Sequence, residues 1–205
     1  NAASGAFPYF SLPELIVAGE KEDVFVDLGV YNGFSSRCFI EWCNKNGKTP
    51  KKIFGFEPDE HNYNLSKSVF DRIDVTNKLF KYGAGEERAV LKFNSKSDSS
   101  SAFSDMGDVE VEVRPLDEVL EGEDITFIKM DIEGSELAAL KGAKNIIKSR
   151  KPKLAICVYH KLDDIYVIPA YIWSLVPEYD LYLRHHSNSL LETVLYAVYR
   201  ENRIK

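Results

Sequence analysis

Five side chains could do chemistry together: Asp27, Glu57, Asp131, Glu133 and His160, each at or just beyond the end of an apolar run. Asp27 opens the turn Asp27-x-Gly29-x-x-x-Gly33, with Tyr31 between the glycines. Glycines in such a turn let backbone approach a ligand where a Cβ would obstruct it. Asp27 is placed to accept hydrogen bonds from a ligand's amino group. Glu57, followed by Pro58, ends a second apolar run, a position suited to ribose hydroxyls. A neutral imidazole at His160 can take a proton near physiological pH, with Asp131 orienting it or holding a substrate hydroxyl and Glu133 on the same rim. Alternatively Asp131, Glu133, His160 and His185 or His186 could ligate a divalent cation, manganese or zinc rather than magnesium. No local spacing enforces that convergence, so a metal-free site is the expectation.

These residues need a scaffold that brings strand ends together. Residues 24–28 read as a buried strand and 34–44 as a helix, with Ser35 or Ser36 able to cap it. Residues 52–57 form the next strand, Pro58 suits a first helical position, and Asp59 and Glu60 favour a helix start. Residues 79–82 read as a third strand, and Gly83 and Ala84 at its end join the expected cofactor contacts. Residues 88–93 suggest an excursion strand, and 95–104 a polar, Ser-rich loop able to close over a substrate. Strands follow at 125–130 and 154–159, helices at 116–120, 135–147 and 165–176 (kinked at Pro169), and a final strand pair at 181–183 and 193–199. Alternating strands and helices predict a parallel sheet with helices on both faces and a terminal antiparallel hairpin. Residues 1–22 read as a preface, and 1–205 as one domain.

Lys129 is unusual, because a central parallel strand seldom tolerates an unpaired charge. Its head group is expected to pair with a carboxylate. Trp42 and Trp173 read as packing residues, and His61 as an exposed helix residue.

Composition narrows the partners. The 205 residues are 44% hydrophobic and 28% charged, as in a globular enzyme. A net charge of −6 argues against nucleic acid, which needs concentrated positive charge. No apolar run approaches the ~20 residues that span a bilayer. Cys38, Cys43 and Cys157 show no metal spacing and fit a reducing cytoplasm. A two-fold homodimer is the default oligomeric expectation.

The glycine turn lacks the Gly-x-Gly-x-x-Gly spacing of dinucleotide sites. It resembles instead the first motif of class I S-adenosylmethionine-dependent methyltransferases. A narrower resemblance lies in Lys129-Met130-Asp131-Ile132-Glu133-Gly134-Ser135-Glu136, followed by Leu140-Lys141-Gly142-Ala143. Tyr159-His160-Lys161 with Asp163-Asp164, Arg184-His185-His186-Ser187 and Glu192-Thr193-Val194-Leu195-Tyr196-Ala197 extend it. With the glycine turn and Phe56-Glu57-Pro58, about residues 22–199 resemble the FkbM family of methyltransferases. Val30-Tyr31-Asn32 departs from the smaller or differently polar residues the family often has there. The resemblance implies a Rossmann-like seven-stranded sheet, S-adenosyl-L-methionine as cofactor, and O-methylation of sugars or natural-product hydroxyls. The expected partner is therefore a small-molecule or carbohydrate acceptor. Rival readings are a nicotinamide-dependent oxidoreductase, which Glu57 would also suit, and a non-catalytic cofactor-binding interaction module.

Overall fold

Residues 8–18, 21–94, 102–103 and 109–199 are described by a computed structural model. A 3-10 turn at Pro8–Phe10 and a helical turn at Glu14–Val17 (α1) lead into strand Glu22–Leu28 (β1) and helix Phe34–Lys45 (α2). Strand Thr49–Phe56 (β2), helix Glu60–Phe70 (α3) and strand Thr76–Phe80 (β3) follow. Four short strands come next: Gly83–Ala84 (β4), Ala89–Asn94 (β5), Ala102–Phe103 (β6) and Val109–Arg114 (β7). The chain continues through helix Leu116–Val119 (α4), strand Phe127–Met130 (β8), and helices Glu136–Lys141 (α5) and Lys144–Arg150 (α6). It ends with strand Lys153–Cys157 (β9), helix Asp164–Leu175 (α7), and strands Tyr179–His185 (β10) and Thr193–Tyr199 (β11).

Seven strands form the main sheet in the order β10-β11-β9-β8-β1-β2-β3. The five from β9 to β3 are parallel, and β11 and β10 add the antiparallel hairpin. Every residue of β8 and β9 is buried, as is β1 after its first residue. Strands covered on both faces must be apolar along their whole length, which is why these runs are nearly unbroken.

Side-chain alternation splits the core in two. Val24, Val26 and Leu28 pack with Ile128, Met130, Leu140, Ile168 and Ile172 on the α5–α7 side. Phe25 faces the other way, onto Phe39, Trp42, Phe127 and Phe10. Phe25 and Phe39 stack at 4.4 Å between ring centroids. Helix α2 can supply that layer because Ser35, Phe39, Trp42 and Cys43 recur on one face.

Register aligns the strand tips. Leu28 pairs with Phe56 and with Met130, and Met130 with Ile156. The residues that follow, Gly29, Glu57 and Asp131, therefore emerge along one edge. The strand order reverses between β1 and β8, and ligands gather outside such a switch point.

Several local expectations are corrected. The expected excursion strand is part of a second sheet, ordered β4-β7-β5-β6. Neither Ser35 nor Ser36 caps α2, whose N-cap is Gly33 at φ 78°. Asn32 Oδ1 accepts the Phe34 N–H instead, at 3.1 Å. Helix α3 starts at Glu60 with Asp59 as its cap, so Pro58 lies before the helix. The expected helix 135–147 divides at Gly142. A Cβ there would lie 1.9 Å from the Gly85 carbonyl oxygen. Asp117 also accepts the Asn145 and Ile146 N–H groups at 2.8 and 2.9 Å, starting a new helix. Residues 1–7, and 95–101 and 104 of the expected Ser-rich loop, lie outside the described residues.

Candidate functional site

Asp27 faces the α2 side with Phe25, two residues before it, and is fully buried. Its Oδ2 accepts from the Ser35 and Ser36 hydroxyls at 2.6 and 2.7 Å. Lys129 Nζ lies 3.1 Å from its Oδ1 and donates to the Leu28 and Gly29 carbonyls at 3.0 and 2.7 Å. The expected carboxylate partner of Lys129 is thus Asp27. Burial alone would push this ammonium down, but Asp27 and Asp131 outweigh it and hold Lys129 above its usual range. Asp27 fastens the glycine turn to α2 and β8 from beneath.

Gly29, at φ +77°, passes so close to β8 that a Cβ would lie 1.9 Å from the Asp131 carbonyl oxygen. Tyr31 takes a left-handed φ of 56°, uncommon for a residue with a Cβ. Glu57 secures it: Oε2 accepts the Tyr31 N–H at 2.8 Å, and Oε1 accepts the Asp59 N–H at 3.0 Å. Burial pushes the Glu57 carboxyl up to about 7 despite those two donors.

A cavity of about 290 Å³ opens above this turn, walled by Tyr9, Gly29, Tyr31, Phe34, Asp131 and Tyr159. Glu192 and Val194 also line it. Asp27, Gly33, Glu57 and Pro58 are not among its lining residues. Gly83 and Ala84 are buried in β4, paired with Val113 and Arg114 of β7, and do not line it either.

Asp131 is the cavity's anionic wall. Tyr9 donates its hydroxyl to Oδ2 at 2.6 Å, and Tyr159 donates to Oδ1 at 3.1 Å. Burial opposes ionisation of Asp131, yet Lys129, the Tyr9 hydroxyl and His160 keep it below the usual carboxylate range. Burial raises both phenols, so they remain donors.

Behind Asp131 stands His160, whose side chain is 8% exposed. Its Nδ1 lies 2.8 Å from Glu136 Oε1, which also accepts the Ile132 N–H at 2.9 Å. Nε2 is buried without a hydrogen-bond partner. It faces Asp131 Oδ1 at 3.4 Å and Glu133 Oε2 at 3.7 Å. Burial of the ring works against protonation, but Glu136, Asp131 and Glu133 outweigh it and hold His160 above its usual range. Asp131, Glu133 and His160 thus lie together, with one ligand atom from each within 4.8 Å of the others.

The two later histidines stand apart from that group. His185 pairs with Thr193 Oγ1 at 2.8 Å, and His186 with the Tyr196 hydroxyl at 2.9 Å. Three partners were not anticipated: Tyr9, Tyr159 and Glu136. Glu136 reads in sequence as a helix-start carboxylate, and only its burial beside His160 reveals the second use.

Residues 27–190 match the methyltransferase FkbM domain. Hexuronic acid methyltransferase AglP of Haloferax volcanii is 26% identical over 141 residues, covering 66% of this chain and 56% of that protein. Methyltransferase FkbM from Methylobacillus flagellatus shares 34% identity at a TM-score of 0.72, covering 86% of this chain and 44% of that one. A Streptococcus mutans protein solved in complex with SAH shares the fold at 12% identity and a TM-score of 0.55, covering 90% of this chain and 93% of that one. The chain spans about half the length of the first two relatives.

Proposed function

The chain belongs to the FkbM methyltransferase family, and from that premise we propose that it transfers a methyl group from S-adenosyl-L-methionine to a hydroxyl of a sugar or small natural-product acceptor. Asp131 is the observation that supports this most. It walls the cavity beside the Gly29 turn and faces His160 Nε2 at 3.4 Å. Cofactor cradle and acceptor-activating side chains therefore meet at one residue.

The cavity fits the cofactor in kind. Gly29 presents backbone without a Cβ, and Asp131 offers negative charge to a cationic, amino-bearing ligand. Gly29, Tyr31 and Asp131 would hold the methionine end. Glu57, with acceptor capacity left on each oxygen, would take the ribose hydroxyls. Asp27 and Gly33 act from behind, shaping the turn, and Pro58, Gly83 and Ala84 stand outside the cavity lining. S-adenosyl-L-methionine, when bound, supplies an electrophilic methyl group on a sulfonium.

The chain's own task is to place and activate the acceptor. Tyr9, Tyr31, Phe34 and Tyr159 wall the space and exclude water, which would compete for the methyl group. Tyr31 and Phe34 are 39% and 42% exposed, leaving apolar ring surface for a sugar face or an aglycone. A hydroxyl is a poor nucleophile until its proton is drawn away. Asp131, Glu133 and His160 provide the negative charge and the lone pair that favour that loss. The cavity presents Asp131 and Glu192, while its lysine, Lys129, is engaged by Asp27. That balance favours a neutral acceptor over a uronate.

Thermal denaturation with S-adenosylhomocysteine or NAD, followed by labelled-methyl transfer to a panel of neutral sugars and hydroxylated small molecules, tests the proposal. Stabilisation by S-adenosylhomocysteine alone and labelling of a neutral hydroxyl are expected. Stabilisation by NAD, or none by S-adenosylhomocysteine, would overturn it.

A further inference from the structure

We propose that Asp131, Glu133 and His160 form a divalent-cation site, best matched to Mn2+, behind the Asp131 wall of the cavity. One ligand atom from each lies within 4.8 Å of the others. This deepens the methyltransferase reading and rests on it for what the ion does there.

The His160 ring carries the argument. Its Nδ1–H donates to the buried Glu136 carboxylate, which fixes the tautomer and leaves a lone pair on Nε2. Nε2 is buried and has no hydrogen-bond partner. It points at two carboxylate oxygens, 3.4 and 3.7 Å away. Nε2 and these two oxygens converge, and a cation between them would be held by all three. At these separations a proton on Nε2 makes at best a long, poor hydrogen bond to either oxygen. A cation that all three atoms can approach resolves the arrangement.

The surroundings are those of a ligand set. Metal-binding histidines commonly donate their second ring N–H to a carboxylate, as His160 does to Glu136. Glu136 is itself held by the Ile132 N–H, and Asp131 is oriented by the Tyr9 and Tyr159 hydroxyls. Two carboxylates and one imidazole form a mixed oxygen and nitrogen set, better matched to Mn2+ than to Mg2+ or Ca2+, which favour oxygen alone. Three protein ligands leave coordination positions open, and Asp131, the ligand that also walls the cavity, is where water and an acceptor hydroxyl would reach the ion. A cation there lowers the pKa of that hydroxyl: its O–H bond breaks, the electron pair stays on oxygen and the proton passes to water.

Titrating Mn2+ into the chelator-treated chain, followed by electron paramagnetic resonance, tests the site. One equivalent should quench the free-ion signal, and pulsed measurements should detect coupling to a histidine nitrogen. His160→Ala should abolish that coupling, but it strands buried Glu136 and could unfold the protein. Glu133→Gln is the gentler variant. It should weaken Mn2+ at least about tenfold while leaving S-adenosylhomocysteine binding and the melting temperature in place. Absence of stoichiometric binding, absence of nitrogen coupling, or an affinity unchanged in Glu133→Gln would each overturn the site. If S-adenosylhomocysteine still binds then, His160 acts as proton acceptor and the methyltransferase reading survives. Mn2+ binding with nitrogen coupling but no S-adenosylhomocysteine binding would leave the cation site standing and remove that reading.

Discussion

The Lys129 ammonium lies 3.1 Å from Asp27 Oδ1 in an interior that exposes neither side chain. A charge in a central parallel strand is costly, and here it is met by one carboxylate and two carbonyls at the end of β1. The pair joins β8 to the glycine turn, so the cavity floor depends on it.

Removing one partner of this pair should cost far more than removing both. Lys129→Met leaves Asp27 charged and buried with only two hydroxyl donors, an expected loss of about 3–5 kcal/mol. Adding Asp27→Asn should recover part of that loss, a coupling of about 1–3 kcal/mol. Urea denaturation of the wild type, both single variants and the double variant measures it. Strictly additive losses would show that the pair is not energetically coupled.

The strand tips were legible in the sequence because β1, β8 and β9 are buried on both faces and read as unbroken apolar runs. The direction of Asp27 was less so. The period of two that puts Val26 and Leu28 on one face puts Phe25 and Asp27 on the other, under α2. Applied strictly, that alternation would have assigned Asp27 to Ser35 and Ser36 rather than to a ligand. Glu136 was hidden for another reason: its sequence position satisfies the helix-dipole rule completely, and its contact with His160 comes from another part of the chain. Of the small second sheet β5 was legible as the excursion strand, whereas β4 and β6, of two residues each, are too short to show a period.

Glu57 should make both stability and cofactor affinity depend on pH. Its folded pKa, about 7, lies above the unfolded carboxylate value of 4.5. A raised folded pKa means the native state binds the proton more tightly. The stability this supplies is complete below about pH 4.5 and is lost as pH rises through about 7. Wild type should lose up to about 3 kcal/mol relative to Glu57→Gln across that window. Ribose hydroxyls donate to the ionised form, so S-adenosylhomocysteine should bind more tightly as pH rises through 7. Calorimetry at pH 5.5 and 8 should show this in wild type and a flat profile in Glu57→Gln. Parallel profiles would remove Glu57 from ribose recognition.

Tyr9 should matter out of proportion to its distance in sequence. Its hydroxyl reaches Asp131, 122 residues away, at 2.6 Å. A hydrogen bond to a charged acceptor is worth about 1.5–3 kcal/mol. Tyr9→Phe should lower stability by that order and reduce turnover more than cofactor affinity, because Asp131 loses an orienting donor. Denaturation and steady-state kinetics on the same preparation separate the two effects. A variant with normal stability and normal kcat would make the contact incidental.

Acceptor charge should respond to Glu192, which is exposed at the cavity wall. Its carboxylate repels an anionic acceptor such as a uronate and leaves a neutral sugar unaffected. Two like charges about 4 Å apart in water interact by about 1 kcal/mol, roughly fivefold in an equilibrium constant. Glu192→Gln should therefore lower KM for uronate acceptors about fivefold without changing that for neutral ones. Because the group is exposed, the gain should fade as salt shortens the Debye length from about 10 Å at 0.1 M to about 3 Å at 1 M. Acceptor kinetics at low and high salt measure both signs at once. A salt-independent gain would indicate altered cavity shape, and no gain at any salt would place the acceptor's charge away from this wall.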